Sequence, residues 1–219
     1  RVPIDLPESQ QIVHIPTGSS FEDVLGILTK KGILEDPIIF KQLAEYLEYK
    51  EDPMRAGRFK IEPGITLTDL VQHLKEGKQA TVNVIMTNER LLEDVAAKVA
   101  RFLESDSLTM INMFHNDIEI AELGYTRDNL MSLFIPNTYN FYWNTSPKLF
   151  LQRMVKEHDK FWKAKNRLAK AKKLGLSTKP DQLILPGSGG LMVRFSVTLC
   201  QFIARLKVKV NARSLTPTR

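Results

Sequence analysis

From Gln10 to Pro16 the chain reads QQIVHIP, and apolar Val13 and Ile15 on either side of His14 predict a short strand that Pro16, Thr17 and Gly18 bring to a stop. The period then changes. Phe21, Val24, Leu25 and Leu28 recur at helical spacing, Ser20 with Asp23 supplies a capping signal, and Gly32 ends the segment. Asp36 caps a second predicted helix with Ile39, Leu43, Tyr46 and Leu47 on one face, and Arg58 to Ile61 (RFKI), closed by Glu62, Pro63 and Gly64, reads as a return strand. Strand, helix, helix, strand makes a compact α+β unit.

Thr66 and Thr68 open a further helix through Leu67, Leu70, Val71 and Leu74 that stops near Gly77. Ala80 to Met86 (ATVNVIM) alternates Val82, Val84 and Met86 as a strand does. Leu91 to Leu103 is amphipathic, with Val95, Val99, Phe102 and Leu103 on its apolar side, and Ser107 to Phe114 predicts another helix. After Pro147, a long helix is expected over Lys148 to Leu174, with Leu149, Phe150, Met154, Phe161 and Trp162 inward, ten Lys and Arg largely outward, and Gly175 at its end. The expected class is α+β, a mainly helical body with a few strands.

At 219 residues, 43% hydrophobic and 26% charged, the chain is long enough for one large domain or two small ones, and it is neither a disordered, a collagen-like nor a disulfide-scaffold sequence. The net charge of +6 conceals a split: residues 160–219 carry +13 and residues 1–159 carry −7. Such a split suggests a basic arm for a polyanion, or more simply a solvated charged face. No helix-turn-helix, zinc-finger or RNA-binding signature accompanies it, so nucleic acid is not the expected partner. The best apolar stretch, Phe195 to Ala204, is ten residues long, against the roughly twenty that a membrane-spanning helix needs. Cys200 stands alone and no cofactor motif is present.

Candidate chemistry concentrates in Phe134 to Ser146 (FIPNTYNFYWNTS), where Tyr139, Phe141, Tyr142 and Trp143 lie among Asn137, Asn140 and Asn144. Aromatic faces stack on the apolar face of a sugar and asparagine amides satisfy its hydroxyls, so Asn137, Tyr139, Phe141, Trp143 and Asn144 are the candidate substrate-binding residues. The plainer reading of the same stretch is an aromatic core strand with polar turns. His14, His73, His115 and His158 are scattered without metal-ligand spacing, and Gly187-Ser188-Gly189-Gly190 lacks both phosphate-loop and serine-hydrolase patterns. Among acids, Glu89 reads as a first-turn carboxylate and Glu157 as a helix-surface partner of Arg153 or Lys160.

Four segments in order, IPTGSSFEDVLGILTKKGIL (Ile15 to Leu34), GRFKIEPGITLTDLVQHLKEGKQ (Gly57 to Gln79), FIPNTYNFYWNTSPKLFLQRM (Phe134 to Met154) and AKKLGLS (Ala171 to Ser177), resemble the YceG-like endolytic murein transglycosylases, in the branch found in Bacteroidetes. The resemblance covers about the first 180 residues. It implies a LysM-like module with its following helix over 1–79, a catalytic-type domain over 80–180 that is incomplete at its C-terminal end, and a divergent basic tail over 181–219. It also implies the extracytoplasmic face of the inner membrane, an anchor not contained in this chain, peptidoglycan glycan strands as substrate and cell-wall synthases as partners. In such enzymes one Glu protonates the MurNAc-GlcNAc oxygen and then, as carboxylate, helps the MurNAc C6 hydroxyl close a 1,6-anhydro ring, which calls for a raised pKa. The family places that Glu shortly after the long helix. Here the corresponding run is Pro180 to Leu191 (PDQLILPGSGGL), the expected position falls near Leu191, and no Glu follows Glu157. Asp181 is the one acid after Asp159, so the catalytic residue stays unassigned. A shifted reading frame after Pro180 or a divergent replacement both account for this tail. Two alternatives to the enzyme reading stand beside it: a non-catalytic peptidoglycan-binding or scaffolding module, and a polyanion binder acting through the basic tail.

Overall fold

Alternation at the start of the chain becomes β1 (Ile12–Ile15), which pairs antiparallel with β2 (Gly57–Lys60) in the register Ile12 to Lys60 and His14 to Arg58. A computed structural model describes residues 11–34, 36–164 and 167–169. The pleat sends Val13, Ile15 and Phe59 into a core and leaves Ile12, His14, Arg58 and Lys60 on the opposite face. Between the strands run α1 (Phe21–Lys30) and α2 (Pro37–Tyr46). Ser20 and Asp23 cap α1 reciprocally: the Ser20 hydroxyl accepts from the Asp23 N–H and the Asp23 carboxylate accepts from the Ser20 N–H. Asp36 caps α2, with Pro37 in its first turn. Thr66 caps α3 (Leu67–Glu76), and the first core gathers residues from Val13 to Leu74, including Leu28, Phe40, Phe59 and Leu70.

The second core starts at β3 (Thr81–Met86), which pairs antiparallel with β4 (Asn137–Tyr142), Asn83 opposite Asn140. Between these strands lie α4 (Leu92–Val99), α5 (Ser107–Phe114), α6 (Asp117–Glu122) and a 3-10 turn at Leu130–Leu133; α7 (Pro147–Lys163) follows β4. Phe114, Phe134, Phe141 and Phe150 meet at its centre, with ring centroids 5.1 to 6.3 Å apart. His158 is buried there. It accepts the Trp162 indole N–H at 3.0 Å on Nε2 and lies 3.1 Å from the Tyr125 hydroxyl on Nδ1.

The architecture is α+β, as expected, and three details differ from the sequence reading. On α2 the core side is Phe40 and Ala44, whereas Ile39 and Tyr46 are 52% and 83% exposed. On α7 Leu149 faces solvent, and Leu151 and His158 take inward positions alongside Phe150, Met154 and Trp162. The α7 helix ends at Lys163, and the stretch from 170 to 174 of the expected helix lies outside the described residues. Ala164 turns extended, and the Arg167 guanidinium donates to the Phe161 carbonyl at 2.5 Å while lying over the Phe161 ring, which satisfies a helix-end acceptor and closes the turn. The α6 helix and the 3-10 turn come without a corresponding expectation.

Candidate functional site

The two cores share no residue, and a polar seam joins the layers that contain them. Backbone bonds make the first stitch. Ala80 N–H donates to the Arg58 carbonyl at 2.7 Å and the Arg58 guanidinium returns to the Thr81 carbonyl at 2.8 Å, so β2 runs into β3 through a short tie. Gln79 seals it by donating its amide to the Ala56 carbonyl at 2.7 Å. Gly57 suits this point, because its φ of +150 is a conformation that L side chains rarely adopt, and a Cβ there would also push aside the Gln79 amide, 2.5 Å away.

A second stitch uses residues far apart in sequence. The Glu104 carboxylate accepts from the Thr17 N–H at 2.6 Å and from the Thr17 hydroxyl at 2.7 Å, while the Glu104 N–H donates to the Trp143 carbonyl at 2.8 Å. Trp143 in turn lies with its ring centroid 4.7 Å from that of His14, tilted by 59°. Partial burial, with Arg58 and Lys31 adding repulsion, lowers the His14 pKa below its ordinary value and favours the neutral imidazole. A shallow depression of about 560 Å³ beside Pro16 to Ser19, lined also by Glu22, Gly26 and Lys30, abuts this clamp.

The candidate residues of the aromatic stretch separate by the pleat of β4. Tyr139 and Phe141 face the second core; the Tyr139 hydroxyl donates to the Ile135 carbonyl at 2.7 Å, and burial with a contribution from Glu157 pushes its pKa up to about 12. Asn137 is exposed at the far end of the strand. Trp143 and Asn144 are half-buried at the seam, the Asn144 amide pointing to the Ala56 carbonyl at 3.4 Å. The outward face of the β3–β4 sheet carries the cross-strand pairs Thr81 with Tyr142, Asn83 with Asn140 and Ile85 with Thr138. Trp143 follows Tyr142 directly, so this amide-and-aromatic surface leads to the His14 side of the seam.

The acids weighed from the sequence, and Glu104 at the seam, are each engaged by a neighbour. Glu89 pairs with Lys98 at 2.6 Å and accepts from Thr87, contacts that lower its pKa. Glu157 is held by Arg153 at 2.9 Å. Glu104 is engaged by Thr17. Asp181, the run from Pro180 to Leu191 and the basic tail of 181–219 lie outside the described residues. Sequence reasoning missed Glu104 because its partner is 87 positions away and no local spacing marks it.

The YceG-like family model matches residues 13–186. The chain belongs to the YceG-like family. Two curated relatives share 29% identity over 77 residues with it, the endolytic murein transglycosylases of Streptococcus pneumoniae serotype 2 strain D39 and of strain R6. That alignment spans 35% of this chain and 14% of each relative's length. A crystal structure of a yceG-like protein from Listeria monocytogenes aligns at 21% identity and a TM-score of 0.39, covering 74% of this chain and 58% of that one. Among the described residues, no helix is long and apolar enough to cross a membrane.

Proposed function

We propose that this YceG-like chain recognises murein glycan strands, holding them on the seam and on the outward face of the β3–β4 sheet without cutting them by itself. The observation that carries the reading is the continuity of that surface: Asn83, Asn140 and Tyr142 on the β3–β4 sheet lead to Trp143 against His14, offering amides for hydroxyls and aromatic faces for sugar rings. The names of the pneumococcal relatives support the substrate class. On this reading Trp143 and Asn144 contact the glycan, Asn137 stands at the far end of the strand on the opposite pleat, and Tyr139 and Phe141 shape the wall from the core side. Residues 1–79 take the part of the LysM-like module with its following helix, residues 80–180 that of the catalytic-type domain, and the setting is the cell envelope, with a membrane anchor and cell-wall synthases as partners.

Cleavage by the family's route needs a carboxylic acid that stays protonated near neutral pH, beside the glycosidic oxygen. Glu89 is driven the other way by Lys98, and Glu157 and Glu104 are already bound. Incubation with uncrosslinked glycan strands, followed by separation of the products, tests both halves. Retention on murein sacculi with no anhydromuropeptide released is the expected result, and Trp143→Ala reduces the retention. Anhydro products would overturn the non-cleaving half, and absence of retention the recognition half.

A further inference from the structure

The outward face of β1–β2 holds a second chemistry that the sugar-binding surface does not use. Ile12 and His14 from one strand lie opposite Lys60 and Arg58 from the other, so two cations share a face with the imidazole against Trp143. Lys31, at the end of α1, is close enough to act on the same imidazole. The part of the chain that carries them is acidic, with −7 over residues 1–159, and several of its other cations are paired, Lys41 with Glu22, Lys98 with Glu89, Arg127 with Asp117 and Lys148 with Glu119. Lys31, Arg58 and Lys60 have no carboxylate within ion-pair distance among the described residues. The carboxylate of the seam, Glu104, is turned onto Thr17.

Arg58 is also the best fixed of the three. Its Nη1 is tied to the Thr81 carbonyl, which holds the planar guanidinium beside the seam, and its other N–H groups have no hydrogen-bond partner among the described residues. A guanidinium held at one nitrogen is prepared to take a carboxylate with the rest at a low entropic cost. Neutral sugar rings make no use of such a group. The occupant that matches is an acidic peptide attached to a glycan.

We propose that Arg58 and Lys60, with Lys31 beside them, form a carboxylate-binding shelf that takes the acidic peptide branch of a glycan strand whose sugars lie along Trp143 and the outward face of the β3–β4 sheet. The proposal rests on the glycan reading for the position of the sugars and on the unmatched cations for the branch. It makes the seam selective for strands that carry peptide over bare polysaccharide.

Titration calorimetry on the full chain with three probes tests it: a neutral GlcNAc oligosaccharide, a peptide-bearing murein oligosaccharide of the same length, and the acidic peptide alone. The peptide-bearing glycan binds about tenfold or more tightly than the neutral one, the size of one charge-assisted contact, and added salt erodes the difference. Lys60→Gln and Arg58→Gln remove the preference and leave binding of the neutral oligosaccharide in place. Lys60 is exposed and unbonded, so the Lys60→Gln result stands even where Arg58→Gln loosens the tie to Thr81. Equal affinity for both oligosaccharides, unchanged in the variants, overturns the shelf while the glycan reading survives. Binding of the peptide alone, lost in Lys60→Gln, with no binding of the neutral oligosaccharide, keeps the shelf and overturns the glycan reading. No binding of any probe overturns both.

Discussion

Replacing Glu104 by Ala removes the two contacts that hold the Thr17 loop, at 2.6 and 2.7 Å, while the main-chain bond from Glu104 N–H to the Trp143 carbonyl remains. Hydrogen bonds to a charged group contribute about 1.5–3 kcal/mol each when shielded. Both lie at an exposed surface, where solvent competes, and about 1 kcal/mol apiece is the appropriate scale, or about 2 kcal/mol for the pair. Glu104→Gln keeps one acceptor and loses the charge, so about half of the effect is expected. Urea unfolding followed by tryptophan emission and by far-ultraviolet circular dichroism measures this. The midpoint falls while the slope stays the same, because neither core loses surface. A cycle with Thr17→Ala isolates the side-chain half of the clamp, with a coupling of about 1 kcal/mol. A Glu104→Ala midpoint equal to that of the parent protein, or no coupling to Thr17, would refute the clamp as an energetic feature.

Other consequences are also measurable. Because the His14 pKa is lowered in the fold, the unfolded chain binds more protons below the ordinary histidine value of 6.5. Stability therefore declines as pH falls from about 6.5 toward the lowered value, and is unaffected by this group above that window. Thermal melts at pH 7.5 and 5.5 test this: His14→Gln flattens part of the slope, and an identical slope in the variant contradicts it. Phe150→Ala opens a cavity among Phe114, Phe134 and Phe141 and costs about 3–5 kcal/mol, which should unfold the second core by circular dichroism at moderate urea concentration. Tyr139→Phe leaves the buried Ile135 carbonyl without its donor and costs about 1–3 kcal/mol, against a near-neutral Tyr142→Phe on the exposed side of the same strand. Glu89→Gln leaves retention on murein unaltered; loss of retention would move Glu89 into the binding surface.

Local rules carried most of what was legible. The Ser20 and Asp23 capping box, the caps at Asp36 and Thr66 and the alternation in β1 and β3 depend on neighbours a few positions apart, and each is found where the spacing placed it. Helix faces were less certain wherever two apolar stripes competed. Ile39 and Tyr46 fall at spacings as regular as Phe40 and Ala44, and packing against α3 and the Phe21 ring selected the second pair, with Leu43 and Leu47 half-buried against the same core. In the aromatic stretch the period of two separates Tyr139 and Phe141 from Asn140 and Tyr142 at once, but which pair turns inward is decided by the helices that cover the sheet. The clamp at Glu104 and the contact of Trp143 with His14 were hidden for a different reason: each joins two cores, and nothing within a helical turn of any partner announces it.

The chain completes one core before it begins the other. Among the described residues, the buried residues of the first lie between Val13 and Leu74 and those of the second between Val84 and Trp162, with the tie at Arg58 and Ala80 as the hand-over. During synthesis the first module therefore has all of its partners at hand before β3 has emerged, and it can close without waiting. The second then condenses beside a finished neighbour whose β2 already presents the Arg58 carbonyl to Ala80. The seam is in that sense a product of order: the first module is a template against which the second sets its angle.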